Sequence, residues 1–331
     1  MVLPAPTADD DFRPARWFRN PHLQSLLASI AWRRRRILRR AAPLLAASRE
    51  VLLDCGAGVR LQCFVAEPPQ GRGQPVVLLH GWEGSAEALY VLSLAQRLFA
   101  ARFEVVRLNL RDHGDTHHLN RELFHSCRLA EVSGAMRALQ SREFPGQALR
   151  LVGFSLGGNF LLRVAAGARA AGLEIERVIA VSPVLEPAET LSALEGRPRA
   201  YEWYFVRKWL RSLRRKQAAW PESYDFSRLA QLRDLRTMTA ELVRGHTDFP
   251  TLEHYLDGYA ITGARLATLE VPANILIALD DPIIPAAALA RLAAPPRLSL
   301  TITRYGGHNG FFERLGGPTW LERRILGLLE G

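Results

Sequence analysis

The chain changes its hydrophobic rhythm three times, and those changes predict its elements. From Glu50 to Glu67 apolar and polar residues alternate on either side of Gly56-Ala-Gly58, the pattern of a β-hairpin with one face buried. From Val76 onward the pattern is a set of short, uninterrupted apolar runs separated by helical stretches. Strands are expected at Val76–Leu79, Val105–Leu110, Leu149–Val152, Val178–Val181, Asn274–Leu279 and Leu298–Thr303. Helices are expected over 87–103, 129–144, 160–165 and 286–292, with a closing helix after the last strand through Glu330. An apolar run without alternation belongs to a strand covered on both faces, so the expectation is a mostly parallel sheet with helices on both sides and an antiparallel hairpin before it.

Two segments stand outside this rhythm. Residues 1–48 read as an extended lead-in followed by an amphipathic piece, His22 to Trp32, and then Arg33-Arg-Arg-Arg-Ile-Leu-Arg-Arg40. Residues 186–270 interrupt the strand–helix alternation with helical, aromatic sequence. There Tyr201, Phe205, Trp209 and Leu213 recur every fourth position, with Arg207, Lys208, Arg211, Arg214, Arg215 and Lys216 on much of the remaining surface. The expected organisation is therefore a lead-in at 1–48, an α/β core at 49–185 and 271–331, and a helical cap inserted at 186–270.

Charge sharpens this division. The net charge of +10 is confined to two segments: residues 1–50 hold 10 Arg against 4 Asp and Glu, and residues 197–216 hold 8 Lys and Arg against Glu202. The rest of the chain is slightly acidic, so the basic balance is not a property of the whole fold. Such segments suit an anionic membrane touched from outside; nucleic acid is not the expected partner. With 48% apolar and 23% charged residues the chain has globular composition, and no apolar run reaches the 18 residues of a membrane span. Asp9-Asp10-Asp11 ahead of the apolar and basic pieces inverts the order of a signal peptide. Three cysteines, Cys55, Cys63 and Cys127, do not make a disulfide framework, and the expected setting is reducing and cytoplasmic. The sequence leaves the oligomeric state open.

The chemistry concentrates where strands end. Gly153-Phe-Ser-Leu-Gly157 joins a strand to a helix and sets Ser155 at the apex of a tight turn, with the Leu156 amide beside it. A serine hydroxyl becomes a nucleophile when a base takes its proton and a carboxylate orients that base. His308, in the loop Arg304-Tyr-Gly-Gly-His-Asn-Gly310, is placed to be the base. The acid comes from Asp280-Asp281 after an earlier strand. Asp281 is preferred, being nearer the apex of the Asp-Pro-Ile-Ile-Pro turn, with Asp280 the competitor. A second oxyanion donor beside Leu156 is expected from the Trp82 amide in His80-Gly-Trp-Glu-Gly-Ser85, where His80 is read as structural. The cluster at Asp112, His113, Asp115, His117 and His118 contains His-x-x-x-His, but Gly114 and the turn-forming aspartates favour a loop over a metal-binding helix. Neither metal nor cofactor is expected.

Several of these stretches, together with Phe12-Arg-Pro-Ala-Arg-Trp-Phe-Arg-Asn-Pro-His-Leu-Gln24 and Leu108-Asn-Leu-Arg-Asp-His-Gly114, resemble the YheT-like branch of the α/β-hydrolase superfamily from about residue 12 to the C-terminal helix. The resemblance implies the α/β-hydrolase fold, a Ser155–Asp281–His308 triad and carboxylic-ester chemistry on short- to medium-chain acyl or lipid esters. Alcohol O-acyl transfer by the same triad is the alternative within enzymes. A binding module with a silent triad, docking on membrane or nucleic acid, is the alternative outside them.

Overall fold

The computed structural model describes residues 11–69, 73–196 and 199–331. Asp9, Asp10 and Arg197, which entered the charge reading, lie outside these described residues, as do residues 70–72 of the connector before the first parallel strand.

Among the described residues eight strands form one sheet: β1 (Ser48–Asp54), β2 (Arg60–Ala66), β3 (Pro75–Leu79), β4 (Glu104–Leu108), β5 (Leu149–Phe154), β6 (Ile175–Val181), β7 (Ala273–Ala278) and β8 (Leu298–Thr303). Their spatial order is β1-β2-β4-β3-β5-β6-β7-β8. β1 and β2 pair antiparallel with Val51 opposite Cys63, β2 meets β4 antiparallel, and every other pairing is parallel. All residues of β3, β4, β5 and β7 are buried, which is why their sequences are mostly apolar without alternation, the exceptions being the buried Glu104, Arg107, Arg150 and Asn274. One apolar layer, with Phe160, Leu162 and Met136, covers one face of the sheet. The other face is covered by Leu94, Leu98, Trp320 and Ile325.

Among the described residues ten α-helices surround it. α1 (Pro21–Ser29) and α2 (Arg34–Ala46) precede the sheet, and α3 (Leu89–Ala100), α4 (Leu129–Ala138) and α5 (Leu156–Ala166) alternate with its strands. α6 (Pro187–Glu195), α7 (Ala200–Ala219), α8 (Leu235–His246) and α9 (Leu252–Asp257) fill the stretch between β6 and β7, and α10 (Trp320–Glu330) closes the chain. The start of α1 is set locally. The Asn20 side chain accepts from the amides of His22 and Leu23 while Pro21 occupies the first helical position. α10 begins with a capping box between Thr319 and Glu322. Among the described residues, no helix is long and apolar enough to cross a membrane.

Two expected helices come out shorter. The stretch expected over 286–292 is a 3₁₀ segment, Ala286–Arg291, hemmed in by Pro285 before it and Pro295-Pro296 after it. The helix expected over 129–144 keeps α geometry only to Ala138 and loosens into a π-helical turn at Leu139–Glu143.

Candidate active site

The carboxyl ends of β3, β4, β5, β7 and β8 gather at one rim, and every candidate residue leaves the sheet there. Ser155 sits between β5 and α5 with φ 53° and ψ −119°, a left-handed conformation that costs about 1–3 kcal/mol outside glycine and is held by its surroundings. Its amide donates to the Val181 carbonyl at 2.8 Å. The two flanking glycines serve different contacts. A Cβ on Gly153 would fall 2.5 Å from the Gly157 carbonyl oxygen, inside the strand–helix crossing. One on Gly157 would fall 2.3 Å from the His80 carbonyl oxygen, in the neighbouring loop. The half-buried Ser155 hydroxyl forms no hydrogen bond to the protein among the described residues, and none links it to His308.

His308 and Asp281 are in contact. His308 Nδ1 lies 2.9 Å from Asp281 Oδ2, and Asp281 Oδ1 accepts from the amides of Ile283 at 2.9 Å and Ile284 at 3.0 Å. The Asp281 carboxylate is fully shielded from solvent, with its negative charge met by two amides and the imidazole. Asp280 turns to the backbone instead. Its Oδ1 accepts from the Gly307 amide at 2.9 Å and its buried Oδ2 has no partner. Burial, reinforced by the adjacent Asp281 charge and opposed by Gly307, pushes its carboxyl up to about 6.

The sequence reading missed what holds His308. The first helix docks against the His308 loop: Ser25 Oγ accepts from the His308 amide at 2.8 Å and donates to the Pro21 carbonyl at 2.7 Å. The Gln24 side chain, fully buried, donates to the carbonyls of Phe18 at 2.6 Å and Phe312 at 2.9 Å and accepts from the Phe312 amide at 2.7 Å. Gly307 and Gly310 let this happen, since a Cβ on the first would fall 2.3 Å from the Pro21 carbonyl and on the second 2.6 Å from that of Gln24. The signal lies in the Asn20-Pro-His-Leu-Gln24 stretch, where Asn20 and Pro21 start α1 and Gln24 meets the loop after β8.

The loop after β3 approaches Ser155 from the other side; a Cβ on Gly81 would lie 3.0 Å from Ser155 Cβ. The buried His80 ring fixes this loop, with Nδ1 2.7 Å from the Gly81 carbonyl and Nε2 accepting from the Leu110 amide at 3.2 Å. Those partners require the neutral imidazole protonated at Nδ1, and burial pushes its pKa down to about 4. Tyr90 Oη accepts from the Gly81 amide at 3.1 Å. The amides of Trp82 and Leu156 donate to no protein acceptor among the described residues. The Trp82 ring stacks on Phe205 of α7 at 5.3 Å and meets Trp209 edge-on at 5.3 Å, so α7 packs directly over this loop.

The histidine-rich loop is structural in its hydrogen bonding. His113 spends both ring nitrogens on the backbone, at 2.7 Å from the Arg111 carbonyl and 3.1 Å from the Glu83 amide, and His117 Nε2 meets Ser212 Oγ at 2.9 Å. Among the described residues, no group of three His, Cys, Asp or Glu side chains is arranged to hold a metal.

Two of the basic residues read as surface, Lys208 and Lys216, are committed inward, and a third, Arg215, stays exposed but is paired at the surface. Lys216 is buried at 1% side-chain exposure, 2.8 Å from Asp112 Oδ1, and donates to the Asn120 and Glu122 carbonyls at 2.5 and 3.0 Å. Lys208 donates to the Glu83 carbonyl at 2.5 Å, and Arg215 pairs with Asp115 at 3.0 Å. The expected basic surface over Arg207–Lys216 is therefore thinner than the sequence promised, because an ammonium can reach several loop carbonyls at once and the loop at 112–122 lies under α7.

A mostly parallel sheet with an antiparallel leading pair, carrying a serine at a strand–helix elbow and an Asp–His pair on later strand ends, defines an α/β-hydrolase architecture. The chain belongs to the alpha/beta hydrolase family, whose profile matches residues 76–315. It is 28% identical to the provisionally named esterase YheT of Escherichia coli (strain K12) over 330 residues, covering 95% of this chain and 92% of that one. It is 22% identical to the phospholipase ABHD3 of Mus musculus over 251 residues, 72% of this chain and 58% of the other. Among solved structures it resembles the Pyrococcus furiosus esterase Pf2001 with a TM-score of 0.56 at 14% identity, over 86% of this chain and 92% of that one.

Proposed function

We propose that the protein is a serine carboxylic-ester hydrolase whose triad is Ser155, His308 and Asp281, acting on short- to medium-chain acyl or lipid esters. The observation that carries the reading is the buried Asp281–His308 contact at 2.9 Å, on the same rim as the strained Ser155 elbow. The esterase and phospholipase names of the relatives support the class of bond.

In the proposed reaction His308 Nε2 takes the Ser155 Oγ proton as Oγ bonds to the ester carbonyl carbon. The carbonyl π electrons move to oxygen, and the resulting oxyanion is met by the Trp82 and Leu156 amides, which have no protein acceptor to give up. Asp281 holds the imidazole by Nδ1–H and stabilises its charge. Collapse breaks the bond to the alkoxide, which leaves with the proton from His308, and water repeats the cycle on the acyl-enzyme. The Oγ–Nε2 hydrogen bond closes when the ester is bound, as catalytic hydrogen bonds commonly do. Residues 186–270 act as a cap, with Phe205 and Trp209 lining the acyl site next to Trp82. The arginine-rich segments hold the protein against an anionic membrane.

Hydrolysis of p-nitrophenyl esters from two to twelve carbons by wild type and Ser155→Ala, with fluorophosphonate labelling alongside, tests this. Serine-dependent turnover and labelling are expected. Labelling with ethanol-trapped ester as the main product would mean acyl transfer, and neither turnover nor labelling would mean a silent triad.

A further inference from the structure

The outer face of α7 is exposed among the described residues, and its composition is specific. Trp203, Arg207, Arg211 and Arg214 follow at four-, four- and three-residue steps and are all exposed, while Val206, Trp209, Leu210, Leu213 and Lys216 take the buried side. Trp203 is 61% exposed, with the Arg207 guanidinium 5.4 Å from its ring centre. Among the described residues no carboxylate lies within ion-pair distance of Arg207, Arg211 or Arg214, unlike Arg215 and Lys216 on the same helix.

The apolar part of this face continues onto a second helix. Tyr201 Oη lies 3.0 Å from His22 Nδ1 and joins α7 to α1. One turn along from Tyr201 is Tyr204, 42% exposed, and one turn along from His22 is Leu26, 57% exposed. A merely solvated basic face carries intermixed acids and no aromatic residues. Unpaired arginines bordered by exposed Trp, Tyr and Leu match instead a surface where apolar side chains enter the headgroup–acyl boundary and guanidinium groups meet lipid phosphates. Nucleic acid would use the arginines and could stack a base on Trp203, but leaves the exposed Leu26 unexplained.

We propose that the outer face of α7, with Leu26 of α1, docks the protein on an anionic bilayer. The docking deepens the lipid-ester reading, on which its purpose rests. α1 carries Ser25, which holds His308, so the membrane-facing Leu26 directly follows the residue that supports the proposed base.

The test is co-sedimentation of the full chain with vesicles of phosphatidylcholine alone or mixed with phosphatidylglycerol, at low and high salt. The variants are Arg207→Gln/Arg211→Gln/Arg214→Gln and Trp203→Ala. Hydrolysis of a soluble p-nitrophenyl ester is the control for folding. The expected result is salt-sensitive binding to the anionic vesicles only. Each arginine contributes roughly fivefold, so the triple variant binds about a hundredfold more weakly. Trp203→Ala also weakens binding, and both variants keep the soluble-ester rate. Binding that the triple variant retains, equal binding to neutral vesicles, no binding at all, or tighter binding to DNA than to anionic vesicles would each overturn the proposal. Vesicle binding without any ester turnover in the wild type would sink the hydrolase reading and leave the docking face standing.

Discussion

The hydroxyl of Ser25 accepts a hydrogen bond from the backbone amide of His308 at 2.8 Å, joining residues 283 positions apart. Because the imidazole hangs from that backbone, the first helix sets where the proposed base stands. Ser25→Ala removes the contact without removing any reacting atom. The expected outcome is a roughly 10- to 100-fold fall in kcat with KM little changed, from sub-ångström to ångström misplacement of the ring. Ser25→Thr, which keeps the hydroxyl, restores most of the rate. A rise in KM at constant kcat would mean that Ser25 acts on substrate binding instead.

Asp281 and Asp280 are neighbours with different tasks, and their amide variants separate them. Asp281→Asn is expected to lower kcat about 10⁴-fold, since the amide disturbs the imidazole tautomer and leaves the imidazolium unsupported. Asp280→Asn keeps an oxygen for the Gly307 amide and changes kcat only a few-fold. Steady-state kinetics on a p-nitrophenyl ester with both proteins decides it; the reverse order would move the acid role to Asp280.

The Asp280 carboxyl also predicts a pH dependence of stability. Its pKa is raised by burial from 3.8 to about 6, so the folded chain holds this proton more tightly than the unfolded chain. Raising the pH through that window therefore lowers stability. Asp280→Asn removes the loss. Its melting temperature is expected to gain on the wild type as pH rises from about 4 to above 6, with no change in the difference beyond. A gap that stays constant across the window would show that Asp280 does not titrate there.

Lys216 ties α7 to the loop at 112–122 through Asp112 and three carbonyls. Lys216→Met leaves a buried carboxylate without its cation and is expected to cost about 3–5 kcal/mol in urea unfolding. Pairing it with Asp112→Asn recovers part of that loss. A single variant as stable as wild type would show that the ammonium contributes nothing net.

Phe205 stacks on Trp82 beside the proposed oxyanion site. Phe205→Ala opens space there, and the expected outcome is a shift of the preferred p-nitrophenyl ester toward longer acyl chains. An unchanged optimum with a lowered melting temperature would make the aromatic cluster packing alone.

The amino-acid sequence by itself determined the strands, the elbow and the chain order of serine, aspartate and histidine. Those are local properties: a strand buried on both faces is mostly apolar, as Val76–Leu79 is, and a tight strand–helix turn needs small residues at Gly153 and Gly157. Tertiary structure alone decided which of two adjacent carboxylates meets His308, because consecutive residues of a turn point apart and only the position of the β8 loop selects between them. It alone gave Ser25 and Gln24 their task at the far end of the chain. It also took Lys216 out of the basic surface, because whether a cation faces water or a ring of carbonyls depends on what packs beneath its helix, and no spacing along the chain records that.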